Sequence, residues 1–321
     1  YESLHKLHPD SFGKYGAVDR AAILQDVAPY SEQAKTWMKI AQNQDLSEEE
    51  KRFLQQLLSY KKSNIVSTYL QGGQGNLSSD IIKKLKLNFP PLTEQQKIAA
   101  FLTDVDTKIS QLTNKKSLLE QYKKGVMQKI FSQELRFKDD EGNDFPEWKE
   151  KQIKKIAKVL GGGTPSTTDE EYWNGEINWF TPTEIKFNSV SKSNRKITQL
   201  GLKKSTATLL PKGTILLTTR ATIGEVAIAN EECTTNQGFQ SLVVNKQNSN
   251  HFVFNLIKTH RNELYKRANG STFKEISKKE IEKIEVSIPC FKEQTKIANF
   301  LSDIDEKIEA LQTKIENSKT F

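Results

Sequence analysis

The side chains here whose types and spacing could do chemistry lie in polar loops, and the chemistry they suit is binding. Residues 218–224, TTRATIG, place Arg220 and Thr222 in a Thr/Gly turn between two runs rich in β-branched residues. An arginine so placed can offer a two-donor fork to guanine O6 and N7. Residues 234–238, TTNQG, put Asn236 and Gln237 in a second such loop, and their amides match the donor–acceptor pair on adenine. Residues 186–196, KFNSVSKSNRK, form a basic excursion with Lys186, Lys192, Asn194, Arg195 and Lys196, suited to phosphates. The hydroxyl-rich loop GGGTPSTT at 161–168 is expected to be flexible and carries Thr164, Ser166 and Thr167. Residues 269–274, NGSTFK, add Ser271, Thr272 and Lys274, and 71–76, QGGQGN, add Gln74 and Asn76. Each loop alone reads equally well as a solvated turn.

Bond-making signatures are missing. GGGTPS has neither the spacing nor the lysine of a phosphate-binding P-loop, and no Gly-x-Gly-x-x-Gly opens a helix. No asparagine-proline-proline-aromatic motif occurs, and His5, His8, His251 and His260 have no metal-like spacing with carboxylates or cysteines. The paired carboxylates Asp104/Asp106 and Asp303/Asp305 fall on helix flanks, where solvation or ion pairing is the expected role.

The elements that must position these loops are of two kinds. Residues 94–131 predict one long helix, on the order of 55–60 Å, with an apolar seam. Ile98, Val105, Leu112, Leu119 and Val126 fall seven apart, and Leu102, Ile109 and Ile130 fill the alternate row, interrupted by Lys116 and Lys123. That spacing predicts a coiled coil, which needs a partner of similar length. Residues 293–315 supply one, with Ile297, Leu301, Ile304, Ile308, Leu311 and Ile315 in the same register. An antiparallel pairing would hold what lies at the two ends a helix length apart.

The second kind is a repeated unit. Pro90 and Pro289, Ile98 and Ile297, and Asp106 and Asp305 are each 199 residues apart. The match runs upstream without a gap through Phe53/Phe252, Leu57/Leu256 and Leu77/Ile276, with Ser78 and Ser277 as helix caps. Residues 47–69 open with a Ser47/Glu50 capping pattern; short helices are expected at 21–27 and 31–42. Further along, a basic amphipathic helix is expected at 151–160, strands at 177–181, 214–219, 225–229 and 239–244, and a helix at 252–267. The fold class is therefore α+β, with a pseudo-two-fold repeat.

At 321 residues the chain has room for two cores, and 36% hydrophobic with 27% charged residues is a soluble composition. Net charge +8 with a pI near 9.1 favours an anionic partner, nucleic acid first. No apolar run reaches a membrane span, no signal peptide is visible, and two unpaired-looking cysteines suit a reducing cytoplasm. The first residue is Tyr1 rather than Met, so a trimmed or processed N-terminus is expected.

Residues 87–109 and 286–308, GGGTPS at 161–166, and residues 209–228 and 234–242 together resemble the specificity subunits of type I restriction–modification systems, over positions 50–321. The resemblance implies α/β target-recognition domains separated by two long antiparallel coiled-coil spacer helices. It divides the chain into an incomplete or divergent first recognition domain (1–92, with 1–49 unassigned), a first spacer helix (93–133), a linker (134–144), a second recognition domain (145–291) and a second spacer helix (292–321). It implies a non-catalytic subunit that reads a bipartite double-stranded DNA target. It also implies docking to two adenine methyltransferase subunits and to restriction subunits, with S-adenosylmethionine, ATP and Mg confined to those partners. The competing expectations are a coiled-coil scaffold whose truncated first domain no longer reads DNA, and a nucleic-acid enzyme with an unrecognised site. The far end of the first long helix, around Lys116 and Lys123, is expected to splay or to meet a partner subunit.

Overall fold

The computed structural model describes residues 46–69, 87–186, 188–270 and 274–319. The helices expected at 21–27 and 31–42, the Ser78 cap, and the candidates Gln74, Asn76, Ser271 and Thr272 lie outside them. The chain forms two compact units, 1–113 with 314–321, and 114–313.

In the first unit, helix α1 (Glu48–Tyr69) begins with the expected capping box. Ser47 N donates to Glu50 Oε2 at 2.9 Å and Glu50 N to Ser47 Oγ at 3.2 Å, so orphan donors at the helix start are satisfied reciprocally. Its apolar stripe (Leu54, Leu57, Leu58, Ile65) packs on Leu87 and Phe89, with Phe53 and Phe89 rings 5.9 Å apart.

Helix α2 (Leu92–Phe131) is continuous over 40 residues. Ile98, Leu102, Val105, Ile109, Leu112, Lys116 and Leu119 are half-buried, and Lys123 and Ile130 buried, on a helix whose other positions are mostly exposed. The C-terminal part of this helix does not splay. Val126, Met127, Ile130 and Phe131 pack into the main core of the second unit, and Lys123 is ion-paired to Asp305. Apolar side chains on both flanks of Lys123 make docking on the chain's own core favourable, while Lys116 pairs along the helix with Glu120 at 3.0 Å.

Among the described residues the second unit is built on three sheets. Strand β1 (Lys149–Gln152), the single-turn helix α3 (Ile153–Ile156) and strand β2 (Ala157–Gly161) occupy the stretch expected to be one helix. The turn buries Ile153 and Ile156, and the strand then buries Ala157 and Val159 by alternation, so two short elements together imitate a helical spacing. Next come β3 (Trp173–Phe180), β4 (Ser189–Val190), β5 (Arg195–Ile197), helix α4 (Gln199–Lys203), β6 (Ile215–Leu217), β7 (Val226–Ala229), β8 (Cys233–Thr235) and β9 (Gln240–Val244). The expected helix at 252–267 is two, α5 (Asn250–Thr259) and α6 (Arg261–Arg267), divided at His260. Helix α7 (Lys278–Glu282), capped by Ser277, and strand β10 (Glu285–Ile288) lead into helix α8 (Phe291–Lys319).

The five-stranded sheet runs β2-β9-β6-β7-β4, antiparallel except for β4 on β7. The three-stranded sheet runs β5-β3-β8, with β3 and β8 parallel, and β1 pairs antiparallel with β10. One large core joins Ile215, Leu217 and Leu242 to Phe252, Leu256, Ile297 and Leu301. Within this unit α2 and α8 run antiparallel. Arg136, just past the end of α2, pairs with Glu293 at the start of α8, whereas Lys123, earlier on α2, pairs with Asp305, later on α8. The 138–144 connection is a tight turn, with Lys138 bridged to Asp144, Gly142 at φ 88°, and Lys296 pairing with Asp140 at 2.6 Å. No helix of the described residues is long and apolar enough to cross a membrane.

Candidate nucleic-acid interface

The candidate loops of the second unit are joined edge to edge through backbone hydrogen bonds. Gly163 N donates to Thr235 O at 2.8 Å, and Asn236 N to Phe180 O at 3.0 Å. Thr219 N donates to Gly238 O at 2.8 Å, and Ile276 N to Thr219 O at 3.3 Å. The loops at 161–168, 181–184, 218–224 and 236–238 therefore lie side by side, with Asn269, Glu275 and Ile276 beside the 218–224 turn.

The glycines of the first loop are needed for this contact. A Cβ on Gly162 would sit 2.0 Å from Asn236 O, and one on Gly163 2.3 Å from Thr206 Oγ1. Trp179 Nε1 donates to Gly163 O and Trp173 Nε1 to Ser166 O, each at 2.9 Å. The loop expected to be flexible is thus fixed at its backbone, while Ser166 and Thr167 stay exposed and Thr164 half-buried. Thr164 Oγ1 donates to Gln237 Oε1 at 2.5 Å.

Asn236 Oδ1 accepts from Gly238 N at 2.9 Å, closing an Asx turn. Both amides of the 236–237 pair therefore have one oxygen lone pair engaged, and each keeps a second lone pair and two N–H donors. In the 218–224 turn, Ala221 has φ 56° and Gly224 φ 87°, and Thr218 Oγ1 donates to the carbonyl of the exposed Thr222. Arg220 is exposed but not free: its Nη2 lies 2.9 Å from Glu275 Oε2.

On the basic excursion, Lys186, Lys192, Asn194 and Arg195 are exposed. Glu184 organises its base, accepting from Thr181 N at 2.7 Å and from Asn194 N at 2.7 Å. Arg195 lies over the Trp173 ring with Cζ 3.5 Å from the centroid, and Lys196 Nζ is 3.8 Å from Glu176. Lys274 is exposed, with Nζ 4.2 Å from the Tyr265 centroid. Basic and acidic side chains are interleaved along these loops: Lys186, Lys192, Arg195, Lys196, Arg220 and Lys274 sit with Glu176, Glu184, Glu225, Glu275 and the acidic run 169–171.

Glu275 and the two indoles were missed by sequence reasoning. Trp173 and Trp179 share a strand at an even spacing, which signals a common face; the pairing of Glu275 with Arg220 joins distant loops and leaves no such signal. Among the described residues no cluster of three or more His, Cys, Asp or Glu could hold a metal ion. The thiol of Cys233, buried in β8, is pushed up to about 12 by burial.

The description "type I restriction modification DNA specificity domain" matches residues 26–121 and 146–318. The MjaIX type I restriction enzyme specificity subunit of Methanocaldococcus jannaschii is 40% identical over 185 residues, 56% of this chain and 43% of that protein. The putative MjaX specificity subunit of the same organism is 29% identical over 268 residues, 80% of this chain and 62% of the relative. The EcoR124I/EcoR124II specificity subunit of Escherichia coli is 26% identical over 178 residues, 53% and 43% of the two chains. This chain thus spans 43% to 62% of the length of these relatives. In fold it is similar to the type I restriction–modification S subunit from M. genitalium, with TM-score 0.57 at 16% identity, covering 84% of this chain and 69% of that one. It is likewise similar to a chain from a structure of a type I restriction–modification system, with TM-score 0.54 at 17% identity over 84% and 67%. With its α+β architecture and a family match across more than half its length, the chain belongs to the type I restriction–modification DNA specificity family.

Proposed function

We propose that the chain is the non-catalytic, sequence-reading subunit of a type I restriction–modification complex, and that the loops of residues 145–291 read one part of a bipartite double-stranded DNA target. The observation that carries this is the set of polar loops around Arg220, Asn236 and Gln237, joined by backbone bonds, with Arg195 exposed on β5 of the sheet that also holds β8. Base contacts would supply specificity, and lysines such as Lys186 and Lys192 would supply affinity through phosphate. Residues 1–92 would form a divergent first recognition domain. Residues 93–133 and 292–321 would act as paired coiled-coil spacers, relating the two copies of the repeat by a pseudo-two-fold and setting the unread gap between half-sites. The antiparallel course of α2 and α8 around Lys123 and Asp305 supports this arrangement. Two methyltransferase subunits would dock on the assembly and modify adenine with S-adenosylmethionine. Restriction subunits would join them to use ATP and Mg, all cofactors staying with those partners.

The test is methylome sequencing of the host with and without the gene. A split adenine motif that disappears with the gene is the expected result; an unchanged methylome overturns the proposal. Deleting the heptad 112–118 should change the spacer of that motif or abolish methylation, and an unchanged spacer removes the ruler role. If Arg220→Ala and Asn236→Ala leave methylation of the same motif unchanged, these two side chains are not readers.

A further inference from the structure

We infer that Arg195 is a specificity-determining residue of the second unit, reading a guanine with a fork held in place by Trp173. This rests on the proposed DNA-reading role. The guanidinium carbon lies 3.5 Å from the Trp173 centroid and 5.6 Å from that of Trp179. The two rings stand edge to face, with centroids 5.1 Å apart and planes at 87°. Both indoles are buried and each is tied by its N–H to the 161–168 loop, so the platform beneath the guanidinium is fixed. Stacking occupies a face of the guanidinium and leaves its in-plane N–H donors available.

Other arginines of the unit are already engaged. Arg136 meets Glu293 at 2.9 Å, Arg220 meets Glu275 at 2.9 Å, Arg261 meets Glu225 at 2.7 Å and Arg267 meets Glu263 at 2.8 Å. Arg195 has no carboxylate at ion-pair distance among the described residues, and it is exposed. Its backbone is also held: Ser193 Oγ donates to Arg195 O at 2.6 Å and accepts from Trp179 N at 2.9 Å. A phosphate contact needs charge and reach, which Lys186 and Lys192 supply without a platform. A guanine contact needs two donors presented together in one plane, and a fork oriented beforehand loses less freedom on binding.

The experiment uses the full chain purified with the modification subunits of its own host. Bound duplexes are selected from a randomised library for the wild type, Arg195→Lys and Arg195→Ala. The wild type should enrich one motif. Both variants should lose discrimination at one G·C pair by about tenfold to hundredfold and keep the preference at the other positions. Lysine keeps the charge but not the fork, so its behaving like alanine at that pair is the decisive result. A motif unchanged in both variants overturns the inference. So does a uniform weakening across sequences that lysine restores, with a shallower salt dependence for the alanine variant, because that is a phosphate contact. A wild-type complex that enriches no motif removes the DNA-reading role itself, and Arg195's role with it, which separates the two failures. Arg195 is exposed, so neither substitution opens the core, and thermal unfolding of each complex verifies this.

Discussion

At Pro90 the carbonyl accepts from Gln95 Nε2 at 2.8 Å, and at Pro289 the carbonyl accepts from Gln294 Nε2 at 3.0 Å. Both glutamines are buried, and each bond fixes the entry of a long helix. One residue earlier the two stretches part. Glu94 is exposed, whereas Glu293 is fully buried, paired with Arg136 at 2.9 Å and accepting from Trp148 Nε1 at 3.2 Å. Glu293 also raises the pKa of the Arg136 guanidinium, chiefly through their hydrogen bond. The same local code thus starts both helices, and the surroundings decide whether the neighbouring carboxylate is a solvated charge or a buried anchor.

The comparison is broken most readily at the carboxylates. Glu293→Ala leaves Arg136 without its buried counter-charge and should cost about 3–5 kcal/mol in urea unfolding. Glu94→Ala should stay within about 0.5 kcal/mol. Similar losses at both positions would show that the two environments are not as different as their burial indicates. The glutamines test what the two starts share. Gln95→Ala should cost about 1–3 kcal/mol, because it leaves the Pro90 carbonyl unpaired. Gln294→Ala should cost more, because Gln294 also accepts from Ser249 N at 2.9 Å and donates to Asn248 Oδ1 at 3.0 Å. A loss at Gln95 too small to measure would break the shared code.

The smallest effect concerns Lys258, whose counterpart 199 residues earlier is the exposed Ser59. Lys258 donates to Asn188 Oδ1 at 2.9 Å. Burial lowers its pKa from the ordinary 10.5, Lys123 lowers it further, and Asp305 and Glu225 oppose. With the folded value below the unfolded one, the unfolded chain holds this proton more tightly. The stability of the wild type relative to Lys258→Met should therefore rise as pH climbs through the folded value towards 10.5. A urea midpoint difference that stays flat with pH would count against this.

What was legible in the sequence follows from these contacts. The 92–131 helix and the Ser47 cap are local patterns, and residues three, four or seven apart carry them. The 151–160 stretch misled because a one-turn helix between two strands places Ile153, Ile156 and Ala157 on a helical period. The polar loops could be named as candidates, but the ordering of their arginines could not. Glu275 engages Arg220 and Trp173 on β3 carries Arg195 on the adjacent β5 through contacts between segments distant in sequence, which spacing along the chain does not encode.

The 161–168 loop is secured by the absence of side chains at Gly162 and Gly163 and by two indole bonds to main-chain oxygens. Ser166 contributes its main-chain oxygen to that attachment and its hydroxyl only to the neighbouring Thr168, and Thr167 is exposed. A lineage can therefore exchange these outward side chains while the mounting beneath them stays unaltered. Under the proposed reading role, new preferences would then be reached by single substitutions that leave the fold intact, separating variation in what is read from the risk of losing the scaffold.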